Sequence, residues 1–377
     1  MRGAGLSTRL KATEGRGAKA VTDGARWLVR QQANDGTWRD FETLAGAGSE
    51  WVTGFTCSAL SEVGQAEAQR SRGVAALAQL QRRDGGWGFN DRVPSDADST
   101  AWALQALIHG PVCRPSVLTR AARYLRAHQS PDGSFATYHQ SDRIHDFIDV
   151  DVDAAAGWRS SHECVTGAVV KALLLANFPG TATSVDLGLR RLLQLRDQEG
   201  LWRSYWWTGT TYTTYLASSS LVHARVLTDA SLEVTCDELR RRQRQDGAWQ
   251  TDVAQNGDAF ETAFGLLTLL LCGCRSCARS ASKAASWLMN QQLPDGGWPS
   301  GHILRIPPPN LDKVEEMTIS WRLDDLGTAV LLSDQHRVFT TASVVRALGK
   351  LSSMMRGSVP DEVSVDMDPR LRRPPVS

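Results

Sequence analysis

The sequence lacks the features that mark membrane, disulfide-rich and nucleic-acid-binding proteins. It has no run of about 18 apolar residues that would span a bilayer, and its amino terminus, MRGAGLSTRLKATEGRGAKAV, contains no apolar signal core. Its seven cysteines are odd in number and follow no framework spacing, which favours reduced thiols over disulfides. A net charge of +1 gives no electrostatic reason to expect a nucleic-acid partner. These absences predict a folded, cytoplasmic protein.

What the sequence does have is one phrase that occurs six times: the end of an apolar-faced helix, a glycine turn and an aromatic residue. A glycine lies one or two places before each aromatic and recurs at steps of 47 to 67 residues. A period in this range indicates a repeat architecture. The aromatics are Trp38, Trp87, Phe135, Trp202, Trp249 and Trp298, and the glycines are Gly36, Gly86, Gly133, Gly200, Gly247 and Gly297.

Each repeat contains two helices of different character. The helix before the turn is amphipathic; in GARWLVRQQ, Trp27 and Leu28 share an apolar side while Arg26 and Arg30 are available to solvent. The helix after the turn is apolar around most of its circumference, as in CVTGAVVKALLLA, and is therefore expected to be buried on most sides. Six such pairs predict an all-α fold, a single closed ring of six helical hairpins over residues 20–355, between a flexible segment 1–19 and a disordered tail 356–377.

The glycine turns have a structural interpretation. Glycine adopts the left-handed conformation that often ends a helix, a nearby aspartate or glutamate can accept hydrogen bonds from turn amides, and the aromatic ring can cover the helix end. The six aromatics are therefore expected to be structural rather than catalytic.

The repeat also carries a family resemblance. The pattern consists of an aromatic and an aliphatic residue, three further positions, a glutamine, a short spacer and Gly-x-Trp. It resembles the repeat of squalene cyclases, class II terpene cyclases and protein prenyltransferase β subunits. The resemblance covers most of the chain. It implies an (α/α)6 toroid with a central cavity bounded by the inner helices.

The stretch SDADSTAWAL, at the start of the second inner helix, is the first candidate for chemistry. Serine and aspartate are typical helix N-caps. DADSTAW also resembles the Asp-x-Asp-Asp-Thr-Ala motif of class II terpene cyclases, in which the middle aspartate protonates an alkene or an epoxide. The resemblance makes Asp98 the proton donor and Asp96 its neighbour, with Ser99 in place of the last aspartate. Two close carboxyls resist ionising together, so one keeps its proton near neutral pH.

A cyclase of this kind also needs a lining that tolerates carbocations. Aromatic faces stabilise a cation by about 0.5 to 2 kcal/mol each. Core filling is the alternative interpretation for every one of these rings. The predicted substrate-binding residues are Trp51, Phe55, Trp102, Trp206, Trp207, Tyr212, Phe260 and Phe339.

The inner helices can be aligned on a recurrent threonine, which is Thr53, Thr100, Thr166, Thr262 or Thr341. In this alignment His162 and Cys164 of the third inner helix occupy the positions of Asp96 and Asp98. In protein prenyltransferases a similar Asp-x-Cys supplies two zinc ligands, so this pair implies a zinc or thiol transferase, with His223 or, more remotely, His336 as a third ligand. Two alternatives use the same pair differently: His162 hydrogen-bonds Asp98 and returns its proton, or His162 and Cys164 form a nucleophilic thiol with a lowered pKa. A binding toroid without catalysis is the remaining alternative.

The sequence contains three weaker signals of function. DFIDVDVDAAAGW contains four aspartates that would hold Mg²⁺ if the substrate carries a diphosphate, although a solvated acidic loop has the same composition. CGCRSCAR contains Cys272, Cys274 and Cys277 but no fourth nearby ligand, which favours a loop between repeats. GHILRIPPPNLDK interrupts the last repeat, where it would cover a cavity mouth and direct Arg305 to an anionic substrate or serve as a clasp. The predicted partner is a hydrophobic small molecule, an isoprenoid.

Overall fold

The computed structural model describes residues 2–110, 114–314 and 318–356. Within these ranges the chain forms six helical hairpins, each with an outer and an inner helix. The outer helices are α1 (Arg2–Gln31), α3 (Glu67–Leu80), α5 (Pro115–Ala127), α8 (Ala182–Leu195), α10 (Asp229–Arg242) and α12 (Arg275–Gln291). The inner helices are α2 (Glu50–Glu62), α4 (Ala97–Ile108), α7 (Glu163–Ala176), α9 (Thr211–His223), α11 (Ala259–Cys272) and α13 (Val338–Met355).

The inner helices close into a ring. Each packs against the next in order, and α13 packs against both α2 and α1, so that the last hairpin meets the first. Residues on nearly every side of an inner helix are buried, as the apolar composition predicts, because the outer helices cover one side and the ring interior the other. In α1, Trp27 and Leu28 are buried while Arg26 and Arg30 are exposed. The predicted (α/α)6 toroid is confirmed.

A glycine with positive φ lies in each of the six turns, five or six residues after the end of the outer helix. Four are the predicted residues, with φ between 84° and 101°: Gly36, Gly133, Gly200 and Gly247. In the two double-glycine turns, the strained position belongs to Gly85 (φ 97°) and Gly296 (φ 95°), not to Gly86 and Gly297 as expected. A Cβ on Gly85 would also lie 2.7 Å from the carbonyl oxygen of Arg120, so both backbone conformation and space require glycine there.

A threonine in the first turn of each inner helix binds the turn aromatic of its own hairpin. The hydroxyl of Thr53 accepts the backbone N–H of Trp38 at 2.9 Å, and the pattern repeats in all six hairpins. Sequence alignment identified five of these threonines; Thr214 is the sixth. The six turns therefore lie at the amino-terminal end of the inner ring. The five turn tryptophans also donate their indole N–H to a carbonyl ten residues earlier in the outer helix.

A repeated glutamine links five of the six hairpins to the next, and Arg196 makes the equivalent contacts to Gly200 and Ser231 in the fourth hairpin. Gln32 donates to the carbonyl of Gly36 in its own turn and to that of Gln69 in the following outer helix, both at 2.8 Å. In the sixth hairpin, Gln292 donates to Gly296 and to Ala20 of the first outer helix. The same side chain that connects neighbours therefore also closes the ring.

The connections between helices at this end of the ring contain the short strands and turns. Two short antiparallel pairs lie in the first two repeats: β1 (Asp40–Thr43) with β2 (Gly46–Gly48), and β3 (Trp87–Gly88) with β4 (Ser95–Asp96). The long insertion before α13 forms a three-stranded sheet in the order β5-β7-β6, from β5 (His302–Ile306), β6 (Arg322–Leu323) and β7 (Val330–Ser333). The third repeat adds α6 (Ile144–Phe147) and a 3₁₀ turn, Val152–Ala155. These segments surround the site.

The first helix extends further than the predicted domain boundary. Because α1 begins at Arg2, the boundary at residue 20 lies inside a helix, and Arg16 already hydrogen-bonds Asn290 at 2.9 Å. The predicted carboxyl-terminal tail lies outside the described residues apart from Arg356. No helix within the described ranges has both the length and the hydropathy needed to cross a bilayer.

Candidate active site

A cavity of about 700 Å³ opens at the amino-terminal end of the inner ring. This volume is within the range of small-molecule binding sites. Its walls come from the connections of the first four repeats and from the insertion before α13, and most of them are apolar. The carboxyls that line it are those of Asp96, Asp98 and Asp149.

Asp96 is the N-cap of α4 and is held by Ser99. One carboxyl oxygen accepts the Ser99 backbone N–H and the other accepts the Ser99 hydroxyl, each at 2.7 Å. Burial raises the pKa of Asp96 from 3.8 to about 7, while these two bonds and the charge of Arg82 oppose the rise. Ser99 therefore fixes Asp96 and supports its ionised form.

Asp98 lies in the first turn of α4 and has a different environment. Burial raises the pKa of Asp98 well above 3.8, and the neighbouring Asp96 raises it further, while the indole N–H of Trp51 opposes the rise. Among the residues that the structure describes, this indole is the donor beside Asp98, yet its geometry falls short of a standard hydrogen bond. Of the two carboxyls, Asp98 therefore retains the proton, and it does so on the cavity wall.

A raised pKa alone does not distinguish Asp98, because other buried carboxyls share it. Burial raises the pKa of Asp40 to about 6, of Asp258 to about 6 and of Glu261 to about 8. Asp40 accepts three backbone N–H groups at the start of α13, and Asp258 accepts the N–H of Glu261 at the start of α11. These carboxyls cap helices and do not line the cavity. Asp98 combines a raised pKa with an open face toward the cavity.

The predicted aromatic lining divides into two groups. Trp51, Trp206 and Trp207 line the cavity, as expected. The other five rings lie in the packed ring interior, which corrects the expectation of an open central cavity. Phe55 stacks on Phe339 with ring centroids 3.7 Å apart, and the remaining members also make ring-to-ring contacts. The rings that fill the interior are Phe55, Trp102, Tyr212, Phe260 and Phe339.

Four further aromatic side chains line the cavity and were missed from the sequence. Phe89 and Tyr138 follow the turn aromatics Trp87 and Phe135 by two and three residues, and both Phe147 and Trp158 lie in the long third-repeat connection. The sequence contains a usable signal for Phe89 and Tyr138. The segment directly after each turn aromatic leads to the inner helix start, so its aromatics face this end of the ring.

His162 and Cys164 are buried beneath the cavity and do not line it. The Nε2 atom of His162 lies 3.0 Å from the Gly157 carbonyl, and burial lowers the pKa of His162 to about 3. Burial, with a contribution from Asp98, raises the pKa of the Cys164 thiol to about 11. A neutral imidazole held by a carbonyl and a protonated thiol do not make a nucleophilic pair. No hydrogen bond joins His162 to Asp98 in the described part of the chain, so the predicted proton return between them lacks a contact.

The predicted zinc ligands do not come together. His223 ends α9, whereas Cys164 lies in the first turn of the neighbouring α7, and His336 pairs with Glu42. The one group of three potential metal ligands within the described residues is a cysteine cluster elsewhere. Asp146 pairs with Arg143, and of the four aspartates in the acidic loop Asp149 alone lines the cavity, so this loop does not assemble the predicted magnesium site.

Arg305 serves as a clasp and is not among the residues described as lining the cavity. On β5, its backbone N–H donates to the carbonyl of Trp206 at 2.8 Å, and its guanidinium binds the carbonyls of Tyr205 and Ser204. The insertion does cover the cavity as predicted, because Leu304, Ile306 and Pro309 line it.

Two family models match the chain. The squalene-hopene cyclase C-terminal domain matches residues 151–305, and the prenyltransferase alpha-alpha toroid domain matches residues 40–154. Among curated proteins, a drimenyl diphosphate synthase of Streptantibioticus cattleyicolor is 28% identical over 277 residues, which cover 71% of this chain and 47% of that protein. The chain thus spans about half the length of this relative.

Solved structures match over more of the chain. A variant of the type II terpene cyclase MstE from Scytonema, in complex with geranylgeranyl dihydroxybenzoate as substrate, has a TM-score of 0.83 and 27% identity. The match covers 91% of this chain and 99% of that one. A second MstE variant, in complex with the product merosterolic acid A, also has a TM-score of 0.83.

Proposed function

Because the chain belongs to the superfamily of squalene cyclases, class II terpene cyclases and prenyltransferase toroids, we propose that it is an acid-initiated terpene cyclase with Asp98 as the proton donor. The observation that carries the proposal is a carboxyl that retains its proton on the wall of an apolar, aromatic-lined cavity. Such a group is acidic enough to protonate an isoprenoid only where water does not compete for the proton.

The first step transfers the Asp98 proton to the terminal double bond, or to an epoxide oxygen, of the substrate. A C–H or O–H bond forms, a carbocation develops on the substrate, and Asp98 becomes a carboxylate. The indole N–H of Trp51 is then available to this carboxylate, and the amino terminus of α4 favours its charge. The Trp51 indole N–H and the amino terminus of α4 therefore both interact more favourably with Asp98 after proton transfer than before it.

Ring closure follows when the next double bond attacks the cation. Seven aromatic side chains line the cavity and present π-electrons to the migrating charge, each worth about 0.5 to 2 kcal/mol. The reaction ends with loss of a proton or capture of water, so that the product is an isomer or a hydrate of the substrate. The seven rings are Trp51, Phe89, Tyr138, Phe147, Trp158, Trp206 and Trp207.

The cavity lining also bears on the substrate head group. Among the described residues that line the cavity there is no lysine or arginine, so these residues offer a diphosphate no cationic side chain. We therefore favour a polyprenyl chain on an uncharged or singly charged head group, such as an aromatic acid of the kind that MstE binds. On this proposal Mg²⁺ is not required for turnover.

The test is incubation of the purified protein with polyprenyl arenes and polyprenyl diphosphates of several lengths, with and without Mg²⁺. Mass analysis should find isomers of the polyprenyl arene that have fewer double bonds. A strict requirement for a diphosphate substrate with Mg²⁺ would reject the head-group assignment. No cyclised product from any substrate would favour a binding toroid.

A further inference from the structure

A cluster of cysteines joins the fifth hairpin to the sixth. Cys236 lies on the outer helix α10, Cys272 ends the inner helix α11, and Cys277 lies in the first turn of α12. The three sulfur atoms are all within 4.8 Å of one another, and none is in a disulfide. Sequence reasoning found no fourth ligand for the CGCRSCAR motif, because Cys236 precedes it by 36 residues on a different helix.

The fourth sulfur belongs to Cys274, the N-cap of α12. Its Sγ accepts the backbone N–H of Cys277 at 3.4 Å. The Ser276 hydroxyl lies 3.1 Å from the same sulfur. Backbone N–H groups and the dipole at the helix amino terminus both favour a thiolate at this position, and the thiolate is the form of cysteine that binds a metal ion.

A positively charged side chain lies beside the cluster and can balance the negative charge of thiolates. Arg240 on α10 places Nη1 3.7 Å from the Cys277 sulfur and 2.8 Å from the Ser276 hydroxyl. A bound metal ion would replace the thiol protons of the cluster, and its positive charge would balance the thiolates that lie close together.

We propose that Cys236, Cys272, Cys274 and Cys277 bind one zinc ion. Tetrahedral zinc has Zn–S bonds of about 2.3 Å, which places sulfur ligands about 3.8 Å apart, so three of the sulfurs need to move by no more than about 1 Å. Cys274-x-x-Cys277 has the spacing of structural zinc sites. A multi-iron cluster needs more room between its sulfur ligands than this group leaves.

The zinc has a structural role. The cluster lies at the carboxyl-terminal end of α11, while the active-site end of the same helix begins at Ala259. At a rise of about 1.5 Å per residue the two are roughly 20 Å apart, too far for the metal to contact a substrate in the cavity. The ion ties α10 to the α11–α12 corner and is independent of the proposed cyclase activity.

The test is metal analysis of the full chain, purified under reducing conditions without chelator, together with a cobalt-substituted sample. We expect about one zinc per chain and, for Co²⁺, the sulfur charge-transfer and intense visible bands of a tetrahedral thiolate site. Cys236→Ser and Cys277→Ser should each lose at least about nine-tenths of the zinc. Cys57→Ser, which removes a buried free cysteine outside the cluster, should retain it.

Circular dichroism of each variant separates loss of metal from loss of fold, and the cobalt spectrum of the unmutated protein does not depend on any variant folding. Reduced protein that retains less than about 0.1 zinc per chain after reconstitution with Zn²⁺ and desalting would overturn the proposal. So would a disulfide between cluster cysteines in the native protein, iron in place of zinc, or full zinc content in both the Cys236→Ser and Cys277→Ser variants.

Discussion

Replacing Asp98 with asparagine should separate catalysis from stability. Asparagine keeps the size of the side chain but has no acidic proton to give. General acid catalysis is typically worth 10²- to 10⁴-fold, and here it initiates the reaction, so we expect turnover to fall by about 10³-fold or more, equivalent to about 4 kcal/mol of activation free energy. The measurement is the rate of cyclised product formation at saturating substrate, with circular dichroism as the control for folding.

The same substitution should stabilise the folded protein. The folded-state pKa of Asp98 is raised above its unfolded value near 3.8, mainly by burial, so the wild type loses stability as pH rises from about 4 toward the raised pKa. The Asp98→Asn variant does not carry this cost, and the difference between the two should widen with pH. Asp96 gives the scale of such an effect, because a pKa shift from 3.8 to about 7 corresponds to about 4 kcal/mol.

Thermal unfolding between pH 4.5 and 8 measures this difference. An Asp98→Asn protein that cyclises substrate as fast as the wild type would refute the proton-donor assignment. A variant that is less stable than the wild type at pH 8 would refute the assignment of the raised pKa, even if activity were lost.

Three other substitutions test the surrounding contacts. Trp51→Phe keeps the ring but removes the N–H beside Asp98, and should lower kcat by about tenfold with little change in KM; an unchanged kcat would contradict a role for this donor. Ser99→Ala removes one bond to Asp96 and should cost about 1 kcal/mol of unfolding free energy while turnover stays within tenfold of the wild type, as thermal unfolding and product formation would report. Gln292→Ala removes the bond to Ala20 that closes the ring and the bond to Gly296 within its own turn, and should cost about 1 to 3 kcal/mol in urea unfolding; a neutral result would argue against the link to Ala20.

The repeat pattern predicts most of the fold, because the contacts that build it are local. Each turn, its glutamine and its aromatic lie within a few residues of one another, and the threonine that completes the contact follows at a short distance in most repeats. Thr214 was missed because it lies 12 residues after Trp202, one fewer than in the second and fifth repeats. In the double-glycine turns the sequence offers two candidates for positive φ and no means of choosing between them.

The site was harder to predict, because it is built from connections that have no periodicity. Asp96 and Asp98 were found through a motif at a helix start. The cavity wall also needs β5 and the third-repeat connection, which meet through contacts such as the hydrogen bond from the Trp158 indole to the Pro307 carbonyl, 149 residues away. Sequence alone also does not show which inner-helix aromatics pack against one another and which remain free to face a substrate.

The closure of the helical ring by Gln292 has a consequence for cooperativity. In an open repeat protein the terminal units have one neighbour each, and unfolding can begin there and spread unit by unit. Every hairpin of this ring has two neighbours, so separating any one of them disrupts two interfaces at once. Partly unfolded rings therefore have a high free energy. Unfolding of one hairpin should be followed by unfolding of the others in a single transition.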